Sequence, residues 1–404
     1  RRRRMSGHSS TEETRMILSR AWNGTTHRLR ANMAARGGPL RGVRKGEFNM
    51  TDTATAVARY PELGCYLLAG QPKSPRDLID EAMGAEDLGL GTAFISERYQ
   101  SKEAATLCGA AGAVTQSIRI ATAATNHNTR HPMVSAGHAL TMHGLTGGRY
   151  VFGIGRGIEV LQRAHGIPLI TTAQMESFVD LMRKLLGGEA VLGYDGPLGS
   201  YPYLRLGPDV RDEVPMSLVA FGPNSLALGG RCFDEVVLHT FFTDETTERA
   251  VRTVKRAAEE AGRDPERVKV WSCFATIGDH IEEDRRLMKS VGRLATYLQG
   301  YGDLLVRTNG WDPEVLATFR ADKLVSEFAG GIDVHASTEQ LEHIAELLPP
   351  EWLAPAATGS SDQCVNAIVG QLDLGCDGVI LHGATPDELT PIIETYAKRD
   401  PRQT

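Results

Sequence analysis

The sequence predicts a (β/α)8 barrel, an α/β fold in which parallel strands alternate with helices around a closed ring. From Gly64 onward, short apolar runs alternate with longer amphipathic or alanine-rich segments, and eight runs have the composition of buried strands. The segments between them are too long for hairpins, so the strands must run parallel. Eight parallel strands in this order are enough to close a barrel.

The first four strands occupy the stretch that ends in the glycine-rich run GIGRG. Ser74 and Pro75 are typical of a helix start, and Pro132 opens a later helix because its missing N–H would have no intrahelical partner there. Gly147 and Gly148 end that helix, since glycine tolerates the left-handed conformation of helix ends. Strands are predicted at 65–69, 92–96, 118–125 and 150–154, and helices at 75–88, 102–114 and 132–145.

Two insertions interrupt the second half of the barrel, one after strand four and one after strand seven. Residues 158–213 contain a helix at 172–186 and a Gly-, Pro- and Tyr-rich stretch at 190–207 that predicts a short hairpin. Residues 281–361 are mostly helical up to residue 348. The remaining strands are predicted at 215–221, 235–239, 268–275 and 378–381, with helices that run through residue 228 and at 246–261, 362–374 and 388–398.

Charge is distributed unevenly along the chain. The net charge of -6 combines +9 in residues 1–49, from eleven Arg and one Lys against three Glu, with -15 in the rest. An acidic body argues against nucleic acid as a partner. We expect residues 1–55 to be a disordered basic tail that lies upstream of a native start near Met50, and residues 60–400 to be a single barrel domain. A transit peptide or a tail that binds an anionic surface are the alternatives.

Cysteine spacing and hydropathy indicate the compartment. Six cysteines are scattered without a CxxC pair, which favours reduced, mostly buried thiols and a cytoplasmic location. No apolar run approaches the roughly 20 residues that span a bilayer, so no membrane association is expected.

Polar residues at the ends of the predicted strands are the candidates for chemistry, because (β/α)8 barrels bind ligands at that edge. A plainer alternative is that Glu97 and Arg98 form a solvated pair and that His239 and His382 are buried core histidines. The candidates are Glu97, Arg98, Asn126, Arg156, Asn224, Ser225, His239 and His382.

Two motifs that would suggest a dinucleotide site and a metal site do not match the full patterns of those sites. Gly153, Gly155 and Gly157 resemble a dinucleotide fingerprint, but Ile158 stands where its third glycine belongs. His127 and His131 lie four residues apart, but they flank a loop before a proline rather than a helix face, so no metal site is expected.

Several longer motifs carry a family resemblance. The runs IRIATAAT, NTRHP, HGLTGGRYVFGIGRG, VAFGPNS and GGRCFDEVVLH resemble the bacterial luciferase-like flavin and deazaflavin oxidoreductases, most closely the actinobacterial branch that uses coenzyme F420. The resemblance extends from about Gly64 to the C-terminal helix. It implies a barrel, usually dimeric, that holds the cofactor ring in its mouth and passes a hydride between that ring and a small-molecule substrate. FMN is the alternative cofactor.

The resemblance also assigns roles to individual residues. In relatives the third strand ends in a non-proline cis peptide under the ring, and the aligned bond is Ala123–Ala124. The loop that starts at Gly222 matches the segment that holds the cofactor phosphate at a helix start. Glu97 aligns with an acidic residue that contacts the ring. The implied cofactor-binding residues are Ala123, Ala124, Thr125, Asn126, Arg156, Gly157, Ala220, Phe221, Gly222, Asn224 and Ser225.

Two departures from the family pattern limit the reaction. Sugar-phosphate dehydrogenases of this family place a catalytic histidine where this chain has Arg98, and an acid where it has Ile158 followed by Glu159. Their reaction is therefore not expected. The guanidinium of Arg98 stays charged near neutral pH, so it suits an anionic substrate or an enolate-like charge better than proton transfer. His239 is the predicted proton donor or acceptor, because imidazole titrates near neutrality.

Three functions remain open at this point. The first is an F420-dependent oxidoreductase that acts on an unidentified small organic substrate, with Glu97, Arg98 and His239 as its catalytic residues. The second is an FMN-dependent monooxygenase supplied by a separate flavin reductase. The third is a barrel that binds deazaflavin without turnover.

Overall fold

The computed structural model describes residues 58–69, 72, 74–99, 101–207, 209–210 and 212–399. The basic tail predicted for residues 1–55 lies outside these residues, and the predicted division into tail and barrel domain stays a prediction. The strands are β1 (Tyr60–Tyr66), β2 (Leu90–Ile95), β3 (Arg119–Thr122), β4 (Tyr150–Ile154), β5 (Val191–Gly196), β6 (Gly199–Leu204), β7 (Met216–Val219), β8 (Glu235–Val237), β9 (Lys269–Gly278), β10 (Ala356–Gly359) and β11 (Gly378–His382).

Eight of these strands close a parallel barrel in the order β1–β2–β3–β4–β7–β8–β9–β11, and β11 returns to β1. The predicted (β/α)8 fold is therefore confirmed. Strands β5 and β6 form the antiparallel hairpin expected in the first insertion. Strand β10 was not predicted: four residues with no clear alternation extend the sheet beside the far end of β9.

Helices pack around the outside of this barrel and build the second insertion. They are α1 (Asp77–Asp87), α2 (Ala104–Val114), α3 (Pro132–Leu145), α4 (Glu159–Ala164), α5 (Thr172–Leu186), α6 (Pro223–Cys232), α7 (Asp244–Glu260), α8 (Glu283–Leu287), α9 (Arg293–Asn309), α10 (Pro313–Ala321), α11 (Lys323–Glu327), α12 (Ile332–His335), α13 (Thr338–Glu346), α14 (Pro350–Leu353), α15 (Ser361–Asp373) and α16 (Pro386–Arg399). A 3₁₀ turn (Pro265–Arg267) precedes β9, and a π-helical turn (Met288–Gly292) leads into α9.

Three predicted boundaries were wrong for identifiable reasons. Strand β1 lies at Tyr60–Tyr66 rather than 65–69. Pro61 and Glu62 are not typical of a strand, but they lie between Tyr60, which pairs with β2, and Leu63, which pairs with β11. Helix α1 starts at Asp77 without a side-chain cap, since the Ser74 hydroxyl accepts the N–H of Arg76 in the preceding turn. Strand β3 stops at Thr122, where the chain turns through a cis peptide bond.

Large side chains fill the lower part of the barrel. Phe94 and Trp271 meet edge to face with ring centroids 5.3 Å apart. Below them Arg119 forms an ion pair with the buried Glu235, whose second oxygen accepts the indole N–H of Trp271 at 2.8 Å. This part of the interior is therefore a packed core, and the candidate ligand site is sought nearer the carboxyl ends of the strands.

Two further features bear on the sequence expectations. All six cysteines are free, and five of them are buried, as predicted. Among the described residues, no helix combines the length and apolar character needed to cross a membrane.

Candidate active site at the barrel mouth

A cavity of about 160 Å³ lies at the carboxyl ends of the strands. It brings together four of the sequence-predicted candidates, which are Ala123, Arg98, His239 and His382. Helix α9 of the second insertion contributes Tyr297 from above. The other lining residues are Tyr66, Ala69, Ser96, Lys102, Val219, Leu238, Thr240 and Cys273.

One side of the cavity is a wall of small side chains. The Ala123–Ala124 bond is cis, as the family resemblance implied. Ala123 still pairs with β2 through its N–H, which donates to the Ile95 carbonyl at 2.8 Å, whereas Thr125 donates to the Gly153 carbonyl on β4 at 3.0 Å. The chain is therefore held on both sides of the cis bond. Together with Ala69, Ser96 and Val219, this segment leaves a surface without large side chains.

Glu97 is bound by the segment that follows the cis bond. Its two carboxylate oxygens accept from Arg130 at 2.9 and 3.1 Å, and the Thr125 hydroxyl donates to the same group. Arg130 also pairs with Glu103. The side chain of Glu97 is 5% exposed and does not line the cavity. The geometry gives Glu97 a role in joining the ends of β2 and β3.

The part of the cavity that follows β2 is cationic. Arg98 and Lys102 both line it, and their backbones form a two-residue bridge through N–H···O bonds of 2.9 and 2.8 Å. The buried Lys102 ammonium donates to the Leu68 carbonyl at 2.9 Å and to the Ser96 hydroxyl at 3.1 Å, both neutral acceptors. Burial, followed by the charges of Arg98 and Arg293, lowers the pKa of Lys102 to about 7.

Arg293 adds a third cation behind these two. It is buried at the start of α9 and pairs with Asp333 at 3.0 Å, while its Nε finds no partner among the described residues. Burial, and then the charge of Arg293, lowers the pKa of Arg98. Arg98, Lys102 and Arg293 are called the cation cluster below.

His239 is held as a neutral imidazole. One ring nitrogen lies 2.9 Å from the Thr240 carbonyl, which only an N–H can satisfy, so the other nitrogen accepts from the Tyr301 hydroxyl at 2.8 Å. Burial lowers the pKa of His239 to about 4. The expectation that this imidazole titrates near neutrality was wrong, because the tyrosines of α9 and the strand ends shield it from water.

His382 lies at the end of β11 and packs edge to face against Tyr66 at 5.2 Å. Burial, and then the positive charges of Arg293 and Arg98, lower the pKa of its imidazole well below the ordinary value. A neutral ring next to the cation cluster can accept a hydrogen bond from a ligand or donate one.

The predicted phosphate loop begins helix α6 but does not line the cavity. Gly222 is the N-cap residue and offers no side-chain cap, and Pro223 occupies the first helical position. Asn224 is exposed and Ser225 half-buried. The start of a ten-residue helix without a capping side chain is suited to an anion.

Other residues assigned by the resemblance brace the loops around the mouth. Arg156 donates to the Ile170 carbonyl at 2.9 Å and to the Thr172 hydroxyl at 2.6 Å, which ties the GIGRG loop to helix α5. Asn126 donates to the Tyr99 hydroxyl. Phe221 packs on the His239 ring at 4.4 Å between centroids. Within the described part of the chain, no group of three or more His, Cys, Asp or Glu residues is arranged to hold a metal ion.

Sequence reasoning missed Lys102, Arg293 and Tyr297. Lys102 lies in an ordinary polar stretch, SKEAA, at the start of a helix pattern. The other two lie in an insertion without a readable motif. The only available signal for Lys102 was its position four residues after Arg98, and that spacing gains meaning only once the two residues are seen to pair.

Comparison with known proteins agrees with this architecture. Residues 56–378 match the model of the luciferase-like monooxygenase family. The chain is 26% identical over 304 residues to a 5,10-methylenetetrahydromethanopterin reductase of Methanolobus tindarius, covering 73% of this chain and 86% of that protein. It is 28% identical over 342 residues to an F420-dependent glucose-6-phosphate dehydrogenase of Kribbella flavida, covering 80% and 92%.

A solved structure shares the fold. The coenzyme F420-dependent tetrahydromethanopterin reductase of Methanopyrus kandleri superposes with a TM-score of 0.69 at 19% identity, covering 83% of this chain and 98% of that one. The family predicted from the sequence is confirmed. On the match that spans most of its length, the chain belongs to the luciferase-like monooxygenase family.

Proposed function

We propose that this protein is a coenzyme F420-dependent oxidoreductase that transfers a hydride between the deazaflavin and a small organic substrate. The observation that carries the proposal is the wall of small side chains at the barrel mouth, where Ala123 lies with Ala69, Ser96 and Val219. The F420-dependent relatives support the choice of cofactor. Assembly as a homodimer is a further expectation from the family, and a cytoplasmic location is an expectation from the scattered, mostly buried thiols.

The residues at the mouth fit a flat heterocycle with an anionic side chain. A planar ring needs close approach of the backbone, and the wall around Ala123 has no bulky side chain to prevent it. Gly155 keeps the layer behind that wall thin, because a Cβ at this position would lie 3.0 Å from the Cβ of Ala124. The uncapped start of α6 is the expected place for the phosphate.

Deazaflavin, when bound, supplies the hydride chemistry, and the protein contributes orientation and electrostatics. Ala123 and its neighbours would fix the plane of the ring, and the paired backbone on both sides of the cis bond keeps that surface rigid. Arg98 would stabilise negative charge that develops on the substrate. Tyr297, which lines the cavity and stacks on Tyr301 with ring centroids 5.4 Å apart, would limit access of water.

The neutral state of His239 changes its proposed part in the reaction. Its second ring nitrogen accepts a hydrogen bond from the Tyr301 hydroxyl and carries no proton to donate to a substrate. We therefore assign to His239 the orientation of the Tyr301 hydroxyl. Proton exchange with the substrate is left to the other groups that line the cavity.

Cofactor titration tests the proposal. Purified protein is titrated with F420 and, separately, with FMN, and binding is followed by fluorescence quenching. Tight binding of F420 is expected, and binding of FMN without F420 would replace the proposal with the monooxygenase alternative. Ala123→Val should weaken F420 binding by adding bulk to the wall, whereas Ala190→Val, on an exposed loop, should not.

Turnover separates an enzyme from a binding barrel. Reduced and oxidised F420 are each incubated with a panel of ketones, alcohols, imines and enones, and the absorbance of the cofactor is followed. Substrate-dependent change supports the proposal. Tight F420 binding without turnover on any member of the panel would favour the noncatalytic alternative.

A further inference from the structure

We propose that the cation cluster at the barrel mouth binds an oxyanion group of the substrate, a carboxylate or a phosphate. The identification of this anion as substrate rests on the proposed function. Anion binding itself requires only the side chains described here, so it can be measured without cofactor.

The buried Lys102 ammonium lacks an acid among the described residues that line the cavity. Its two hydrogen-bond acceptors, the Leu68 carbonyl and the Ser96 hydroxyl, are neutral, and Arg98 adds a second positive charge to the lining. Glu81 carries a favourable charge, but it accepts the N–H of Leu68 at 2.6 Å rather than a hydrogen bond from Lys102. Burying an ammonium is unfavourable unless a counter-charge joins it. A bound anion would supply that counter-charge.

Lys102 is directed into this space by the strand ends. Its ammonium is fixed between the Leu68 carbonyl after β1 and the Ser96 hydroxyl after β2, and only 3% of the residue is exposed. Two neutral acceptors leave one of its three N–H donors for a further partner. Leu68 adopts a positive φ of 52°, which presents its N–H to Glu81 and its carbonyl to Lys102.

The cation cluster lies away from the predicted phosphate loop of the cofactor. Arg98 follows β2, whereas Gly222 follows β7, three strands further round the barrel. An anion at Arg98 therefore does not compete for the start of α6. Arg293 and Tyr297 come from the second insertion, where the fold departs from a plain barrel. Such an insertion is where we expect the residues that select the substrate.

Binding should depend on pH through Lys102. The charged and titratable groups that face its ammonium are Glu81 on α1, Arg98 in the loop after β2, Arg293 on α9 and His382 on β11. Because Lys102 titrates at about pH 7 in the empty site, an anion bound at pH 8 should draw a proton onto it. Affinity should fall by up to about tenfold per pH unit above 7.

Isothermal titration calorimetry with sulfate and with acetate tests the inference, because neither anion titrates between pH 6.5 and 9. Chloride holds the ionic strength constant, and two buffers of different ionisation enthalpy report proton uptake at pH 8. Saturable binding with proton uptake is expected for the wild-type protein. Stronger binding of sulfate indicates a phosphate group on the substrate, and stronger binding of acetate indicates a carboxylate.

Variants locate the site. Arg98→Met and Lys102→Met should each weaken anion binding by about tenfold to a hundredfold, the effect of removing a charged hydrogen-bond partner. Lys102→Met should also abolish proton uptake. The exposed, helix-paired cations Arg252 and Lys184 provide controls, since Arg252→Met and Lys184→Met make the same change in net charge and should bind as wild type.

The inference is overturned if the wild-type protein binds neither anion, or if the two cluster variants bind both as tightly as the controls do. Proton uptake is measured on the wild-type protein, so this readout stands even where a variant folds poorly. F420 quenching on the same samples keeps the two proposals apart. Loss of F420 binding together with anion binding in Arg98→Met would assign the cation cluster to the cofactor instead of the substrate.

Discussion

The burial of Lys102 should leave a measurable signature in the stability of the cofactor-free protein. Its pKa is about 7 in the folded chain, against 10.5 for an ordinary lysine. Between these values the unfolded chain carries more protons than the folded one, so the free energy of unfolding rises with pH across this window. Lys102→Met removes the titrating group, and with it this contribution to the pH dependence of the free energy of unfolding.

The size of the effect follows from linkage. Between pH 7 and pH 9.5, the wild-type protein should gain up to roughly 3 kcal/mol of stability relative to Lys102→Met. Lys102→Met also loses the hydrogen bonds to Leu68 and Ser96. That loss lowers the free energy of unfolding of the variant by the same amount at every pH, so it does not change the pH dependence. Ionisation of the buried thiols on unfolding affects both proteins equally above about pH 8.5.

Urea unfolding at pH 7, 8, 9 and 9.5 measures this difference, with Lys184→Met as the control because Lys184 is exposed on α5. The free energies of unfolding of wild type and control should change in parallel with pH. The free energy of unfolding of Lys102→Met should become progressively lower than both as the pH rises. If the gap between wild type and Lys102→Met stays constant, Lys102 carries an ordinary pKa, and the electrostatic reasoning about the mouth fails.

Four further substitutions test other parts of the structure. Ion pairs lower the pKa of Glu388 to about 2 despite its burial, so Glu388→Gln should lose roughly 3 kcal/mol at pH 7, and the gap from wild type in urea melts should close as pH falls from 4.5 to 2. Gly153→Ala should prevent folding, because its Cβ would overlap the backbone of β3. Gly109→Ala, in open space on α2, should instead stabilise the protein by about 0.5 to 1 kcal/mol. Circular dichroism melts of the two variants measure the difference. Tyr301→Phe should cost about 1 kcal/mol in urea melts by leaving one nitrogen of His239 without its donor.

The barrel could be predicted from the sequence because its strands are short apolar runs separated by helices with clear ends. Strand β4 was placed at Tyr150–Ile154, and helix α3 at Pro132–Leu145, as observed. Prediction failed where tertiary pairing overrides local composition. The polar and proline residues of β1 form strand only because β2 and β11 lie on either side, and β10 is strand only because β9 runs past the barrel rim.

Only the residues of the candidate site that lie at strand ends could be predicted from the sequence. Strand ends in a parallel barrel share one edge, so Arg98, Ala123, His239 and His382 could be grouped without a structure. The protonation state of His239 could not, since it depends on Tyr301, sixty-two residues later in an irregular helix. Helix α9 departs from helical geometry at Tyr301, with φ -157° and ψ 34°, and no sequence pattern announces that break.

These two origins give the mouth two faces that should be separable by experiment. The wall around Ala123 comes from strand ends, and the proposed function assigns it to the ring of the cofactor. The cation cluster draws on the second insertion through Arg293, and it is assigned to the substrate. The faces meet at the end of β2, where Ser96 accepts from Lys102 at 3.1 Å, but Ala123 and Lys102 form no hydrogen bond with each other, so substitutions at these two residues should act nearly additively. Ala123→Val should change the dissociation constant of F420 but not of sulfate, and Lys102→Met the reverse. If either substitution shifts both constants by the same factor, the mouth is a single site, and the division of labour between strand ends and insertion is wrong.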